Sequence, residues 1–184
     1  MIEHTDVSGK ALSAILSSIT AYSTANSPGL GEDHYQLITS PLRKSLPLIH
    51  ASTNLSPKGS VFLDAGCGAG TILTIANSFR HFGKFIGIEL DDFCIELIPI
   101  FTSLLKNFEI IKEDVLNYNA YKEADVIYVS APFSHPSFER KLEDKIINVM
   151  RKDALFLVTR PTKLMEKDTR VEQPYENLNL YRKK

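Results

Sequence analysis

The stretch VFLDAGCGAG, residues 61–70, places one aspartate and three glycines where an apolar run ends. Asp64 closes the run, and Gly66, Gly68 and Gly70 follow at alternate positions. Glycines in a strand-to-helix turn let the backbone pass close to a ligand. The spacing is G-x-G-x-G with Thr71 next, whereas a nicotinamide dinucleotide site needs G-x-G-x-x-G. Asp64 would repel a pyrophosphate, and it suits a ligand with a cationic end. A second apolar run, KFIGIEL, ends at Glu89, whose carboxylate can accept from two vicinal hydroxyls such as those of a ribose. A third run, FEIIK, leads into KEDVLN. There Asp114 can accept from an exocyclic amine, and Val115 can offer its backbone N–H to a ring nitrogen.

These groups need strand tips to hold them, and the pattern supplies strands. VFLDA, KFIGIEL, FEIIK, DVIYVS (125–130) and ALFLVT (154–159) are short apolar runs. Between them lie helical stripes: Ile72, Ile75, Ala76 and Phe79; then Cys94, Leu97, Ile98, Phe101 and Leu105; then Phe138, Leu142, Ile146 and Met150. Apolar strands alternating with amphipathic helices predict an α/β three-layer sandwich with a mostly parallel, doubly wound sheet. The closing VEQPYENLNLYRKK predicts an antiparallel hairpin, with Leu178 and Leu180 on an edge strand. Upstream, Leu12, Ile15, Leu16, Ile19 and Tyr22 predict a helix over residues 9–24, and residues 24–35 form a loop rich in turn formers. Ser40 and Pro41 then start another helix, which Pro47 is expected to kink or end. The division expected is 1–50 for N-terminal helices and a lid loop, and 51–184 for the ligand-binding domain.

Composition bounds the partners. The chain has 184 residues, with 21 Lys+Arg against 22 Asp+Glu, so no net basic field argues for a nucleic-acid partner. Cys67 and Cys94 have neither metal-site nor disulfide-framework spacing. No metal is expected. No signal peptide and no membrane span are legible, and the expected setting is cytoplasmic.

One carboxylate for an amino-acid end, one for a ribose and one for an adenine together describe S-adenosylmethionine. The motifs LDAGCGAG, GIELDD, EDVLN and DVIYVSAPF, in this order, resemble those of class I, seven-stranded S-adenosylmethionine-dependent methyltransferases, over roughly residues 40–160. The resemblance implies a methyltransferase that consumes S-adenosylmethionine and releases S-adenosylhomocysteine. It implies Asp64 and the Gly66, Gly68 and Gly70 backbone at the methionine part, Glu89 at the ribose, and Asp114 and Val115 at the adenine. Leu90 or Phe93 would pack on the adenine face.

The acceptor is less defined. SAPF, Ser130 to Phe133, resembles the Asp/Asn/Ser-Pro-Pro-aromatic motif of enzymes that methylate planar amino groups, with Ala131 in place of the first proline. It implies a nucleic-acid base or glutamine amino target, Ser130 accepting from the amine and Phe133 stacking on it. A second resemblance covers the whole layout. The segments PGLGEDHYQLITSPL and SFERKLEDKIINVMRKDALFLVTRP are similar in arrangement to the seven-stranded protein-lysine methyltransferases. It implies a protein lysine or other amine acceptor, with Ser130, Phe133 and Tyr35 lining its site. Two further readings are an inactive S-adenosylmethionine-binding module and a nicotinamide-dependent oxidoreductase. The glycine spacing and Asp64 disfavour the last.

Overall fold

The computed structural model describes residues 42–102, 105–130, 136–163 and 165–184. The helix and loop expected over 9–35, the Ser40 cap and Pro41 lie outside them. Seven strands form one sheet: β1 Val61–Ala65, β2 Lys84–Glu89, β3 Phe108–Lys112, β4 Val126–Val129, β5 Leu155–Val158, β6 Val171–Glu172 and β7 Leu180–Lys183. Among the described residues four α-helices accompany them: α1 Leu42–Leu55, α2 Thr71–Ser78, α3 Asp92–Thr102 and α4 Pro136–Val149. The order across the sheet is β3-β2-β1-β4-β5-β7-β6. β3, β2, β1, β4 and β5 run parallel, and β7 is antiparallel to both β5 and β6. The α/β, mostly parallel, doubly wound sheet with a C-terminal antiparallel pair is the expected one.

Alternation along each strand divides the sheet into two faces. Leu63, Ala65, Ile86, Ile88, Ile127, Val129 and Phe156 belong to one core cluster with Leu142 and Ile146 of α4, with Met150 just after it, and with Tyr118 and Tyr121. The alternate positions point the other way. Phe62, Phe85 and Tyr128 meet there with Phe82. Asp64 shares that face by the two-residue period and lies opposite Gly87 on β2 and Tyr128 on β4. The chain reverses its direction of travel across the sheet between β1 and β4. Ligands in open α/β sheets bind at that switch point, outside the carboxyl ends of the strands.

Two local details differ from expectation, the ending at Pro47 and the edge position of the C-terminal strand. Helix α1 runs through Pro47 without ending. Pro47 faces solvent, while Ser45, Leu48, Ile49 and Ser52, a stripe at helical spacing, are buried. Burial of that stripe outweighs the one backbone hydrogen bond a proline removes. The C-terminal strand, too, is not an edge. β7 lies between β5 and β6, the two-residue β6 is the edge, and Leu178 sits in the connecting turn. Leu180 is therefore fully buried, as is Tyr181 beside it. Leu180→Ala should cost about 2–4 kcal/mol in a urea unfolding experiment. A loss near zero would mean that the β7 pairing is frayed in solution.

Candidate functional site

The glycine turn occupies the switch point, and each glycine is required by its backbone angle. Gly66, Gly68 and Gly70 have φ of 78°, 54° and 83°, in the left-handed region that side chains disfavour. The turn is stitched to the neighbouring strand. The N–H groups of Gly66 and Cys67 both donate to the Ile88 carbonyl at 2.9 Å. Gly70 donates to the Cys67 carbonyl at 2.9 Å and starts α2 by accepting from the Thr74 N–H at 3.1 Å. A Cβ on Gly70 would lie 2.8 Å from Thr102 Cγ2.

Glu89 joins the same turn from β2. Its Oε2 accepts from the Gly68 N–H at 2.7 Å, and its Oε1 accepts from the N–H groups of Leu90 at 2.8 Å and Asp91 at 2.9 Å. One carboxylate thus fixes both the glycine turn and the start of the β2–α3 connection. Leu90 and Phe93 beside it are exposed at 58% and 41%, an uncovered apolar pair at the rim. Asp64 is the opposite case. It is 1% exposed, and its Oδ2 has no hydrogen-bond partner among the described residues. Burial, and then the nearby Glu89 charge, raise its carboxyl pKa well above the ordinary range.

At the end of β3, the Glu113 N–H donates to the Glu89 carbonyl at 3.1 Å, which draws the next loop beside Glu89. Asp114 Oδ1 accepts from the Leu116 N–H at 2.8 Å, and its carbonyl accepts from the N–H groups of Asn117 and Tyr118. Val115 is buried.

At the end of β4, Ser130 Oγ lies 3.4 Å from Thr159 Oγ1, on the strand face of the buried Tyr128 two residues earlier. The Tyr128 hydroxyl meets Ser45 Oγ of α1 at 2.5 Å. Two hydroxyl pairs thus lie along β4, one joining it to α1 and one joining its tip to that of β5. Ala131, Pro132, Phe133 and Tyr35 lie outside the described residues. Among those described, no group of three or more His, Cys, Asp or Glu side chains could hold a metal ion. None of the described helices is long and apolar enough to cross a membrane.

Residues 56–182 match the family model of the methyltransferase domain. The chain belongs to that family. Its sheet makes it a class I, S-adenosylmethionine-dependent methyltransferase with the Rossmann-like seven-stranded fold. Solved structures agree. The N-methyltransferase NodS from Bradyrhizobium japonicum aligns with a TM-score of 0.59 at 12% identity, over 79% of this chain and 98% of that one. An RNA methyltransferase from Salinibacter ruber, in complex with S-adenosyl-L-homocysteine, aligns at 0.54 and 18%, over 74% and 87%. An rRNA methylase from Streptococcus thermophilus aligns at 0.55 and 15%, over 79% and 98%. At these identities the likeness is one of fold. No curated protein matches the sequence.

Two supports of this methyltransferase site escape a reading of the sequence. One is the two hydroxyl pairs, Ser45 with Tyr128 and Thr159 with Ser130. The legible signal is a tyrosine inside an apolar strand, because a buried phenol needs a partner. Gly87 is another. A Cβ there would lie 2.7 Å from Cys67 Sγ and 2.8 Å from Ile110 Cδ1, so the glycine is what lets the turn sit down on β2. Cys67 is a small buried filler, its thiol pushed up by burial and by the Asp64 and Glu89 charges. Gly70→Ala combines a positive φ with the Thr102 contact and should destabilise the methyltransferase by about 1–3 kcal/mol in chemical denaturation. An unchanged midpoint would show that the turn relaxes freely.

Proposed function

We propose that this methyltransferase moves the methyl group of S-adenosylmethionine to an amine nitrogen, with a protein lysine as acceptor. The observation that carries the donor site is the buried Asp64 Oδ2 with no partner, beside three left-handed glycines at the switch point. A buried carboxylate without a cation is costly. The ammonium of an amino-acid end supplies both the missing donor and the missing charge. Glu89 would take the ribose. A carboxylate offers about four lone-pair positions, and backbone N–H groups fill three of them. One remains for a ribose hydroxyl, and a second hydroxyl would replace an N–H donor. Asp114 Oδ2 and the Val115 N–H would take the adenine edge, and Leu90 and Phe93 would cover its face.

The sulfonium supplies a methyl group that is already activated for transfer. What the chain adds is alignment of the attacking nitrogen and exclusion of water. An amine attacks only as the neutral base, and a partly apolar site lowers a lysine pKa toward that form. Ser130 is a neutral acceptor for the amine N–H, held by Thr159. Phe133 and Tyr35 complete the acceptor wall in this reading. The Ser130–Thr159 pair supports an amine over a more acidic nucleophile, because an amine needs orientation and not a strong base. The buried free thiols of Cys67 and Cys94 suit a reducing, cytoplasmic setting.

Calorimetric titration with S-adenosylhomocysteine tests the donor site. Wild type should bind at micromolar levels, and Asp64→Asn and Glu89→Gln should each weaken binding about tenfold or more. Unchanged affinity in both variants would remove the assignment. Labelled-methyl transfer into protein and RNA pools tests the acceptor, and label on RNA bases in place of lysine Nζ would overturn the lysine reading.

Asp64 also gives a pH signature in the ligand-free protein. Its folded pKa lies above the ordinary 3.8, so the folded chain holds this proton more tightly than the unfolded chain. That contribution to stability is full below the unfolded value and is lost as pH rises toward the folded one. Asp64→Asn should therefore be more stable than wild type at neutral pH, with the difference vanishing in acid. Urea unfolding across pH measures it, and a pH-independent difference would contradict the buried, unpaired carboxyl.

A further inference from the structure

The loop after β3 has three successive carbonyls held by hydrogen bonds, those of Asp114, Val115 and Leu116. The peptide between Val115 and Leu116 is held at both ends: its carbonyl accepts from the Tyr121 hydroxyl at 2.8 Å, and its N–H donates to Asp114 Oδ1 at 2.8 Å. The next peptide is held as well. The Leu116 carbonyl accepts from Lys145 Nζ at 2.6 Å, and the Asn117 N–H donates to the Asp114 carbonyl at 2.8 Å. That carbonyl also receives the Tyr118 N–H, which anchors the peptide between Asp114 and Val115 at its oxygen end. Beside these held groups, Asp114 Oδ2 and the Val115 N–H take no hydrogen bond from the described residues. One is an acceptor and the other a donor, on adjacent residues.

The two side chains that close this accounting come from outside the turn. Tyr121 is fully buried in the short helical turn Tyr121–Glu123 and stacks edge-on against Tyr118. Lys145 lies on α4, far along the chain, and its bond to a carbonyl is charge-assisted. Neither is placed to touch a ligand through the atoms that bind the loop. What they fix is the direction in which the open pair points.

We propose that Lys145 and Tyr121 are positioning residues for base selection: by locking the Val115 and Leu116 carbonyls, they present Asp114 Oδ2 and the Val115 N–H as a rigid acceptor–donor pair matched to the amino and ring-nitrogen edge of adenine. The inference rests on the reading that Asp114 and Val115 hold the adenine. A pre-set pair loses little freedom on binding. It also rejects a base whose edge carries the wrong groups, because the buried donor or acceptor would then stay unpaired.

The test compares S-adenosylhomocysteine with S-inosylhomocysteine by calorimetry on the full chain. Hypoxanthine puts an oxygen where adenine has its amine and an N–H at the neighbouring ring position, so both open groups meet a like partner. Wild type should prefer the adenosyl compound by about a hundredfold. Lys145→Met and Tyr121→Phe should each cut that ratio about tenfold, and Lys145→Arg should restore it. Variants that bind both compounds equally more weakly, or that only lower Tm with the ratio intact, would overturn the proposal and leave the clamp a purely structural role. Asp114→Asn separates the two levels. If it abolishes the preference while the clamp variants keep it, the adenine reading stands and the positioning role falls. If wild type shows no preference, or does not bind S-adenosylhomocysteine, the adenine reading falls and takes the clamp with it.

Discussion

The Glu89 carboxylate is the constraint on which the site depends. It sits at the tip of β2 and accepts the Gly68 N–H on one oxygen and the first two N–H groups of the following loop on the other. A left-handed turn of three glycines has little intrinsic stability, since glycine loses more conformational freedom on folding than any other residue. The charge-assisted bond to Gly68 and the two bonds to the Ile88 carbonyl replace what the turn lacks in side-chain packing. The same carboxylate has an electrostatic consequence. Its charge adds to burial in raising the Asp64 pKa, so the residues that shape the site also leave it short of a cation.

That deficit can persist because the surrounding core is strongly built. β1, β4 and β5 are buried on both faces, and α4 closes one side with an apolar stripe. Stability generated in that layer allows one unpaired carboxyl to be tolerated at the switch point. Close approach serves the same end. Gly87 removes a side chain from β2 where Cys67 and Leu73 must pack, and so the glycine turn and the strand beneath it come into contact.

Two polar systems then connect the site to distant elements. The Ser45–Tyr128 pair ties α1 to β4, and the Ser130–Thr159 pair joins the ends of β4 and β5. Tyr121 and Lys145 hold the loop after β3, Lys145 from α4. Both replace loop mobility with hydrogen bonds from rigid elements. Methyl transfer depends on alignment more than on acid–base chemistry, so rigidity of this kind is its main structural requirement.

The amino-acid sequence by itself determined the strands, their all-apolar character, the left-handed glycine turn and the carboxylates at the strand tips. These follow from interactions within a few residues: the period of two or 3.6, the special angles of glycine, and the tendency of Asp and Glu to end buried runs. It also carried the family, through motif order. Tertiary structure alone decided the rest. It set β7 inside the sheet and left β6 as the edge, because pairing between distant strands is chosen by the area it buries. It carried α1 through Pro47, because a buried stripe outweighs a local propensity. It brought Lys145 to the Leu116 carbonyl and Tyr128 to Ser45, contacts across dozens of residues that leave no periodic trace in the chain. It also left Asp64 Oδ2 without a donor, since whether a carboxyl is paired depends on every element that packs around it.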